Sequence, residues 1–452
     1  MVENNVTLDK LTEDLTFHIR ITRGFKIWMG FLIVGLGVCL YAYSLQLRYG
    51  LGVAGIRDYV SWGLYLSNFV FFVATSLIGM LISGVLGLTG IKWITPVARI
   101  AEIIAVAFAA IAGLVIIMDM GRPDRLANVF IYGRFQSPIL WDVTVVTTYF
   151  VLSALLLFMT LITDIAWVNK KTDHLPGWVK KSYRVLSLNW TNTPEKNAII
   201  KRCVRILLIL IIPCALAIHT VTSWLFAMTT RAGWDSTLFG PYFVSGAFVS
   251  GGSAVIIAMY FFQKNYKLNN YITNHHFDKM GKLLVLMMLV YLYFNINEFL
   301  VPAYKLKTAE AITLYDLFSG RFSLLFWGVQ IGGLALPIIL LFFRKMRAPL
   351  PMLVIALAVF IGSWFKRYII VIPTQEHPFL PIQYVPYNFK IYTPTLIEIA
   401  ITLSSFFMVL IIITLLSKFF PVVPIRETAL ERGLLEEDGG QRSEDGGQKT
   451  ED

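Results

Sequence analysis

Charged residues are scarce in this 452-residue chain. Only 15% of its residues are Asp, Glu, Lys or Arg, whereas soluble domains contain about 25%. Hydrophobic residues make up 56% of the chain, and its mean hydropathy is +0.66. Soluble cores do not bury this much apolar side chain, so the composition excludes a soluble, a disordered or a collagen-like protein. It indicates a membrane protein with several spans.

Cysteine and histidine are also scarce. Cys39, Cys203 and Cys214 are the three cysteines, and no two of them have CxxC spacing. This excludes a cysteine-ligated iron–sulfur or zinc site within the chain. A b-type haem across the bilayer needs paired histidines, but only His219 lies inside an apolar stretch. We therefore expect no haem, no iron–sulfur cluster and no metal in this chain, so a redox role requires a diffusible carrier and a partner's clusters.

Ten mostly apolar stretches of about 20 residues are present instead, which is the length that crosses a bilayer. Their lengths and helical periodicity predict an all-α membrane protein with ten transmembrane helices rather than a β-barrel. The stretches lie near residues 25–45, 61–88, 96–118, 138–164, 202–228, 241–263, 281–303, 322–343, 349–370 and 394–418.

Lys and Arg are distributed unevenly among the connecting segments. If the N-terminus is cytoplasmic, cytoplasmic segments carry 27 of the 39 basic residues. The positive-inside rule then predicts that both termini are cytoplasmic, and the net charge of +11 needs no nucleic acid to explain it. Residues 1–24 are predicted to be a cytoplasmic segment and residues 426–452 an acidic disordered tail. The basic and aromatic loop near 165–200 is predicted to be a surface or partner contact.

Two segments four spans apart are similar. SPILWDV (137–143) opens the fourth span and SLLFWGV (323–329) opens the eighth. The similarity either reflects the abundance of Ser and Trp at membrane interfaces or marks a parallel repeat of spans 2–5 and 6–9. The repeat predicts two four-helix bundles plus flanking spans. The corresponding domains are 25–228 (first span and first bundle), 229–372 (second bundle) and 373–425 (last span).

Three ionisable residues are predicted to lie toward the outer ends of their spans, where burying a charge is costly. His219 is followed at i+3 by Thr222 on the same helix face, and imidazole titrates in the range that suits proton transfer. The alternative is a structural histidine bonded to a carbonyl. Asp119 ends the third span and Asp142 begins the fourth. Each aspartate alone is explained by an interfacial helix cap, but together with His219 they predict a catalytic site.

Two glutamates are predicted to lie within the membrane, because the uncharged runs beside them are too short to form a full span alone. Glu102 in the third span and Glu298 in the seventh adjoin runs of 16 and 15 residues. A buried carboxyl stays protonated or finds a partner. Both residues are therefore candidates for a proton path or for structural polar bonds between helices. Arg122, in the turn after Asp119, is predicted to pair with Asp119 or with another acidic neighbour.

The sequence resembles the NrfD/PsrC family of membrane subunits of respiratory oxidoreductases over roughly residues 20–427. It is most similar to the ten-span quinol-oxidising subunits of alternative complex III and to related subunits of sulfur-metabolism complexes. The segments that carry the resemblance are WGLYLSNF (62–69), ARIAEIIAVAF (98–108), MDMGRPDR (118–125), SPILWDV (137–143), HTVTSWLFAM (219–228), GPYFVSGAFVSG (240–251) and WFKRYIIV (364–371).

This resemblance implies a subunit of a prokaryotic cell (inner) membrane that binds menaquinone or another quinone near the outer end of the first bundle. It implies an iron–sulfur ferredoxin-like subunit docked on the outer face, together with other membrane and cytochrome or molybdopterin-type subunits. Matched onto this chain, the family's acid–base pair is Asp119 and Asp142. The candidates for quinone binding are Arg122, Trp62, Asn68 and Trp141.

The chain departs from the alternative complex III pattern at two positions. That pattern has His where Asp119 stands, and Asp where Leu225 stands. The first departure exchanges one proton acceptor for another. The second removes a carboxylate from the second bundle, which puts a second proton route in doubt.

Three functions fit these observations. The first is a quinone-reactive subunit of a respiratory complex that performs proton-coupled electron transfer. The second is a secondary transporter with parallel repeats, which predicts helices interrupted at corresponding places, with Gly251-Gly252 and Gly332-Gly333 as candidates. The third is a purely structural anchor for extrinsic redox subunits, which would tolerate the loss of Asp119 and Asp142.

Overall fold

The computed structural model describes residues 8–19, 21–171, 177–380 and 382–435. The chain is 79% helical, and no strand occurs in those ranges. Ten helices are long and apolar enough to cross a membrane, which confirms the prediction of an all-α protein with ten spans. We label them α1 to α10. In order they are Arg23–Tyr49, Leu64–Leu86, Thr95–Asp119, Pro138–Lys170, Pro194–Ala227, Phe239–Asn265, Asn274–Lys305, Ser323–Phe342, Pro349–Glu376 and Leu396–Phe419.

Two of these helices continue beyond their apolar stretches. α4 runs on to Lys170, and α5 begins at Pro194, about two turns before residue 202. An apolar stretch marks only the part of a helix that lies in hydrocarbon, so the helix itself can be longer. The segment near 165–200 is therefore mostly helical. Tyr183 and Trp190 within it are buried, so these aromatic side chains pack inside the protein rather than forming the predicted surface or partner contact.

Each span packs against particular neighbours. α2 contacts α3, α3 contacts α4, and α4 contacts α5 along its length. α6 packs against α7 and α9, and α8 lies against α7 and α9. α2 and α5 also contact α6, whereas α1 and α10 pair with each other and α10 lies against α3. These contacts fit a division into the bundles α2–α5 and α6–α9 with flanking spans, and that division stays a prediction.

Two spans contain π-helical turns, a rare geometry often found at functional sites. The π segments are Met80–Leu86 in α2 and Gly328–Ala335 in α8. Gly332-Gly333 lies in the second of these, whereas Gly251-Gly252 lies in a continuous α-helix. α2 is the first helix of its predicted bundle and α8 is the third of the other. The transporter alternative requires irregular segments at corresponding places in the two bundles. The two π-helical segments do not occupy such places.

The ten spanning helices form a layer with two ends, and each end takes its name from one residue. The Asp119 end contains the last residue of α3, and the Asp164 end contains the last turns of α4. At the Asp164 end the chain after α10 forms a helix, Ile425–Glu431, whose apolar side chains are buried. The prediction of a disordered tail beginning at residue 426 is therefore wrong for this helix. Residues 436–452 of the predicted tail lie outside the described residues.

Candidate functional site

Asp142 is buried between two spans near the Asp119 end. It lies in the second turn of α4 and is 5% exposed. The Thr222 hydroxyl of α5 donates a hydrogen bond of 2.6 Å to its Oδ1. Within the described part of the chain, no ion pair involves Asp142. Its carboxyl group thus has one neutral hydroxyl partner and is chemically suited to exchange a proton.

His219 lies one turn before Thr222 on the same face of α5, and it is 2% exposed. Neither Nδ1 nor Nε2 has a hydrogen-bond partner of good geometry among the described residues. The Ala215 carbonyl, one turn earlier, and the Arg367 guanidinium of α9 lie near enough to interact weakly with the ring. Buried polar atoms normally have a partner. The ring nitrogens are therefore groups that a bound molecule with a carbonyl or hydroxyl would satisfy.

The surroundings of Asp119 belong to other helices. Its carboxylate lies within electrostatic reach of Glu398 on α10 and of Tyr65 on α2. The Met118 carbonyl beside it accepts a hydrogen bond of 2.7 Å from Gln46 Nε2. The Tyr65 hydroxyl donates to Gln46 Oε1 at 2.6 Å. Asp119 therefore sits in a polar cluster formed by α1, α2 and α10.

Two of the three predicted catalytic residues lie on either side of Thr222. Asp142 accepts a hydrogen bond from Thr222, and His219 lies one helical turn before Thr222 on α5 without a hydrogen bond to either residue. No direct contact joins Asp119 to either of them among the described residues. Whether these three residues act in catalysis stays a prediction.

Arg122 is paired with Asp124 rather than with Asp119. Its Nε and Nη2 donate to the two carboxylate oxygens of Asp124 at 3.0 and 2.9 Å. This contact raises the pKa of Arg122 and lowers the pKa of Asp124. Both side chains are more than half exposed. Of the two partners that the sequence left open, the structure shows the acidic neighbour.

Glu398 is a buried carboxylate that the sequence analysis missed. Its Oε2 accepts hydrogen bonds from the backbone N–H groups of Gly55 and Thr395 at 2.8 and 3.0 Å. Its Oε1 accepts from the Tyr392 hydroxyl at 2.9 Å. Burial and the charge of Glu398 raise the pKa of Tyr392. The signal was available, because Thr395 and Glu398 have the T-x-x-E spacing of a helix capping box.

Asn68 makes hydrogen bonds between helices through both its amide nitrogen and its amide oxygen. Its Nδ2 donates to the Thr402 hydroxyl of α10 at 2.8 Å. Its Oδ1 accepts from Nε1 of Trp364 on α9 at 2.7 Å. Asn68 is 1% exposed. The contacts show a link that fastens α2 to α9 and α10, and quinone binding by Asn68 stays a prediction.

Trp62 lies in the segment before α2 and is held by two neighbours. Its ring stacks on Trp234 with the ring centroids 5.8 Å apart. Its backbone N–H donates to Oε1 of Gln375 at 3.0 Å, and its carbonyl accepts from Nε2 of the same residue at 2.7 Å. These bonds join the start of α2 to the end of α9.

Trp141 and Trp327, at the starts of α4 and α8, make the same kind of contact. The ring N–H of Trp141 donates to the carbonyl of Phe135, and that of Trp327 donates to the carbonyl of Phe318 at 3.0 Å. Both acceptors precede the helix. This shared contact supports the parallel repeat at these two positions.

Glu102 lies at the Asp164 end and is 6% exposed. Its Oε2 accepts a hydrogen bond of 3.0 Å from the Thr160 hydroxyl and lies 3.7 Å from Nε of Arg99. Arg99 also pairs with Asp164 at 3.1 Å. The predicted polar bond between helices is therefore present, and a role in a proton path stays a prediction.

Glu298 is paired with a lysine inside the second predicted bundle. Nζ of Lys366 on α9 lies 3.0 Å from its Oε2, and Lys366 is 3% exposed. Arg367, the next residue, is 2% exposed. Neither Lys366 nor Arg367 was predicted to be part of a site. Two adjacent basic residues within the apolar stretch of α9 are nevertheless a signal of a buried polar site.

An apolar groove of about 800 Å³ lies between α5, α6 and α7. Its lining includes Leu216, Trp224 and Phe248, and its polar residues are Thr220, Asp235, Ser236, Thr237 and Ser245. Sites for small molecules in proteins typically measure 300–1,000 Å³ and are mostly apolar. α5 therefore carries part of this groove as well as Thr222 and His219.

The fold and these buried groups define a multi-span membrane subunit with polar sites between its helices. Residues 52–378 match the family described as "Polysulphide reductase, NrfD". The match covers more than half of the chain, so this protein belongs to the NrfD family. The resemblance seen in the sequence motifs is thereby confirmed.

Curated relatives of this chain are membrane subunits of redox complexes. It is 27% identical over 406 residues to a selenate reductase subunit of Mesobacillus selenatarsenatis, covering 87% of this chain and 92% of that protein. It is 25% identical to the Hdr-like menaquinol oxidoreductase integral membrane subunit of Archaeoglobus fulgidus, covering 85% and 90%. A shorter match, 31% identical over 237 residues, is to a Halobacterium salinarum protein predicted to be a membrane subunit of dimethyl sulfoxide reductase. It covers 51% of this chain and only 50% of that protein.

Proposed function

We propose that this protein is the quinone-reactive membrane subunit of a respiratory oxidoreductase complex. It exchanges electrons between menaquinol or a related quinone and an extrinsic iron–sulfur subunit, and this exchange is coupled to proton translocation. One relative is named as a subunit of a menaquinol oxidoreductase, which supports this carrier. No group of three or more metal-ligating side chains occurs in the ranges that the structure describes.

The Asp142–Thr222 hydrogen bond carries this proposal. A buried carboxyl group accepts a hydrogen bond from Thr222, and Thr222 lies one helical turn from His219, whose ring nitrogens lack partners in the described part of the chain. A quinone headgroup has two oxygens that accept hydrogen bonds when oxidised and donate them when reduced. Donors and acceptors of both kinds are present here, so the residues fit such a headgroup. The apolar groove lies on another face of α5, and Asp142, Thr222 and His219 do not line it.

In this proposal each residue has a defined task. The quinone supplies a two-electron, two-proton redox couple. Asp142 accepts or returns one proton at a carboxylate oxygen, and Thr222 orients that carboxylate. His219 holds the second oxygen through a ring nitrogen. Asp119 takes the second proton into the polar cluster near Glu398.

The proposed orientation follows from the distribution of basic residues. Both termini are cytoplasmic in a prokaryotic inner membrane, so the Asp119 end faces outward. The iron–sulfur ferredoxin-like partner docks at that end, beside Trp62, Trp141 and the exposed Arg122. Further membrane and cytochrome or molybdopterin-type subunits complete the assembly.

The test is the substitution Asp142→Asn in the intact complex. Asparagine keeps the size of the side chain and can still accept the hydrogen bond from Thr222, but it cannot take up a proton. Quinone-linked turnover should fall by roughly 10²-fold or more, the usual scale for a lost proton-transfer group. Oxidation of a soluble menaquinol analogue by the purified complex measures this rate.

Three further variants complete the experiment. Asp58→Asn removes an exposed carboxylate at the same end of the molecule, with no contact to Asp119 or Asp142 among the described residues, and should leave turnover near the wild-type rate. Asp119→Asn should act like Asp142→Asn, and the double variant should lose far less than the product of the two effects, because residues of one unit are not additive. Normal turnover of an intact Asp142→Asn complex would instead support the structural anchor.

A further inference from the structure

A small, partly open cavity lies at the Asp119 end of α7 and α9, and Asp142 does not line it. It measures about 40 Å³ and is closed on a third side by the short helix Thr308–Phe318. Most of its lining is apolar, but Glu298, Glu310, Thr313 and Thr374 also line it. About 10–15 Å³ of such space holds one water molecule, so the cavity has room for about three.

Glu310 is the unexplained group in this lining. It is 4% exposed, and its Oε1 lies 3.6 Å from Nζ of Lys307. Its Oε2 is buried and has no hydrogen-bond partner among the described residues. An unpartnered buried carboxylate oxygen is costly. Water in the cavity would supply the missing donor.

Glu298 lines the same cavity and contacts side chains that lie deeper in the protein. It is paired with Lys366 at 3.0 Å, and the Tyr242 hydroxyl is close enough to interact with its carboxylate. That hydroxyl lies 3.2 Å from the hydroxyl of Tyr291 and 3.4 Å from Oδ1 of Asn295.

The polar chain then reaches a third helix. Nδ2 of Asn295 donates to Oε1 of Gln330 at 2.7 Å, and Gln330 lies in the π-helical segment of α8. Hydroxyl, amide and carboxyl groups in sequence, beginning at the cavity, form a connected path of hydrogen bonds. Positioned carboxyl and tyrosine hydroxyl groups are among those that transfer protons in proteins.

We propose that the cavity between Glu298 and Glu310 is a hydrated port through which protons pass between the buried chain in α6, α7 and α8 and the water at the Asp119 end. Glu310 is the outer carboxylate of this port, and Glu298 is the inner one. The port rests on the proposed function, because it serves the proton movement that accompanies turnover. The step involves protons alone and needs no electron donor or acceptor beyond the proposed reaction.

The first test compares two carboxylates that share one lysine. The tagged complex is placed in vesicles with a soluble menaquinol analogue as donor and ferricyanide as acceptor. Glu310→Gln should reduce the uncoupler-sensitive proton movement by about tenfold or more. This is smaller than the roughly 10²–10⁴-fold effect of losing a group that transfers a proton in the reaction itself. Turnover with uncoupler present should be unchanged. Asp235→Asn is the control, since Asp235 also lies near Lys307 but is 54% exposed and outside the cavity.

The second test detects the water directly and does not depend on activity. Hydroxyl radicals generated by X-ray radiolysis should label Leu314 and Leu317, which line the cavity although they are only 8% and 4% exposed. Leu284, 1% exposed and outside the cavity lining, should stay unlabelled. Absence of label at both cavity leucines would overturn the hydrated port.

The remaining outcomes separate the port from the proposed function. Unchanged proton movement in Glu310→Gln overturns the port while turnover still supports quinone chemistry. A wild-type complex that oxidises no quinol contradicts the proposed function instead. The port is then decided by the hydroxyl-radical labelling of Leu314 and Leu317, which needs no turnover. Absence of label at both leucines overturns it.

Discussion

At the scale of single residues, Arg367 explains a glycine of the PYFVSGA segment. A Cβ atom added to Gly246 would lie 2.9 Å from Nη2 of Arg367 and 2.8 Å from Cε2 of Tyr291. The guanidinium also lies over the ring of Phe243, 5.2 Å from its centroid. Only a residue without a side chain lets α6 approach a buried arginine this closely, so Gly246 is required by packing rather than by a turn.

Gly246→Ala should therefore destabilise the protein by about 1–3 kcal/mol, the usual cost of overpacking. Gly252→Ala is the matched control on the same helix. There the nearest atoms to an added Cβ are 3.4 and 3.6 Å away, which is ordinary contact. Thermal unfolding in detergent should show a lower midpoint for the first variant and an equal or higher one for the second. Equal midpoints in Gly246→Ala and wild type would contradict the close approach.

At the scale of elements, the helix Ile425–Glu431 closes the Asp164 end. The backbone N–H groups of Ile425 and Arg426 both donate to Oδ1 of Asp164 at 3.2 Å. Free N–H groups at a helix start favour a negative charge. Because Arg99 binds the other carboxylate oxygen at 3.1 Å, this helix is fastened to α3 and α4 together.

The attachment of this helix should depend on pH through Glu427. Burial, followed by the negative charge of Asp164, raises the pKa of Glu427 to about 7, whereas Arg99 and Arg426 lower it. A detached Glu427 would have an ordinary pKa near 4.3. The attached form thus binds more protons between these values, so attachment is strongest at low pH and weakens as pH rises to about 7.

Hydrogen exchange of residues 425–431 measures this dependence. Exchange, corrected for its intrinsic pH dependence, should be faster at pH 8 than at pH 6 in the wild-type protein. Glu427→Gln cannot ionise, so its corrected exchange should be slow and the same at both pH values. A pH effect that persists in Glu427→Gln would assign the dependence to another group.

At the scale of the whole molecule, buried charges gather toward the two ends of the helix layer. Glu298 and Lys366 lie toward the Asp119 end, and Arg99, Glu102 and Asp164 toward the other. No chain of polar contacts among the described residues joins the two ends. Proton movement across the whole membrane would therefore need internal water or helix motion between them, and the π-helical turns of α2 and α8 are suitable places for either.

The orientation of the molecule gives a further prediction. Because 27 of 39 basic residues fall on one predicted side, a reporter active only outside the cytoplasm should be silent when fused at residue 452. The same reporter fused after Gly233, between α5 and α6, should be active. Fusion after Arg347, between α8 and α9, is a second silent control. The reverse pattern would place Asp119 and Asp142 on the cytoplasmic side.

The sequence by itself was sufficient for the ten spans, the family, and the placement of Asp142, His219 and Glu298 on spanning helices. The physical reason is that an apolar stretch of fixed length and the cost of an ionisable group within it are local properties. The same local reasoning predicted a tail from residue 426, where the apolar residues of a short helix turned out to be buried.

Tertiary structure alone decided which of these side chains meet. The partner of Asp142 is Thr222, 80 residues away, and Glu398 bonds Gly55 across 343 residues. Glu310 has no signal in the sequence, and only the fold places it in the lining of a cavity. Such pairings depend on how helices rotate and pack against each other, and a single sequence records the residues of each helix but not the neighbour that each face will contact.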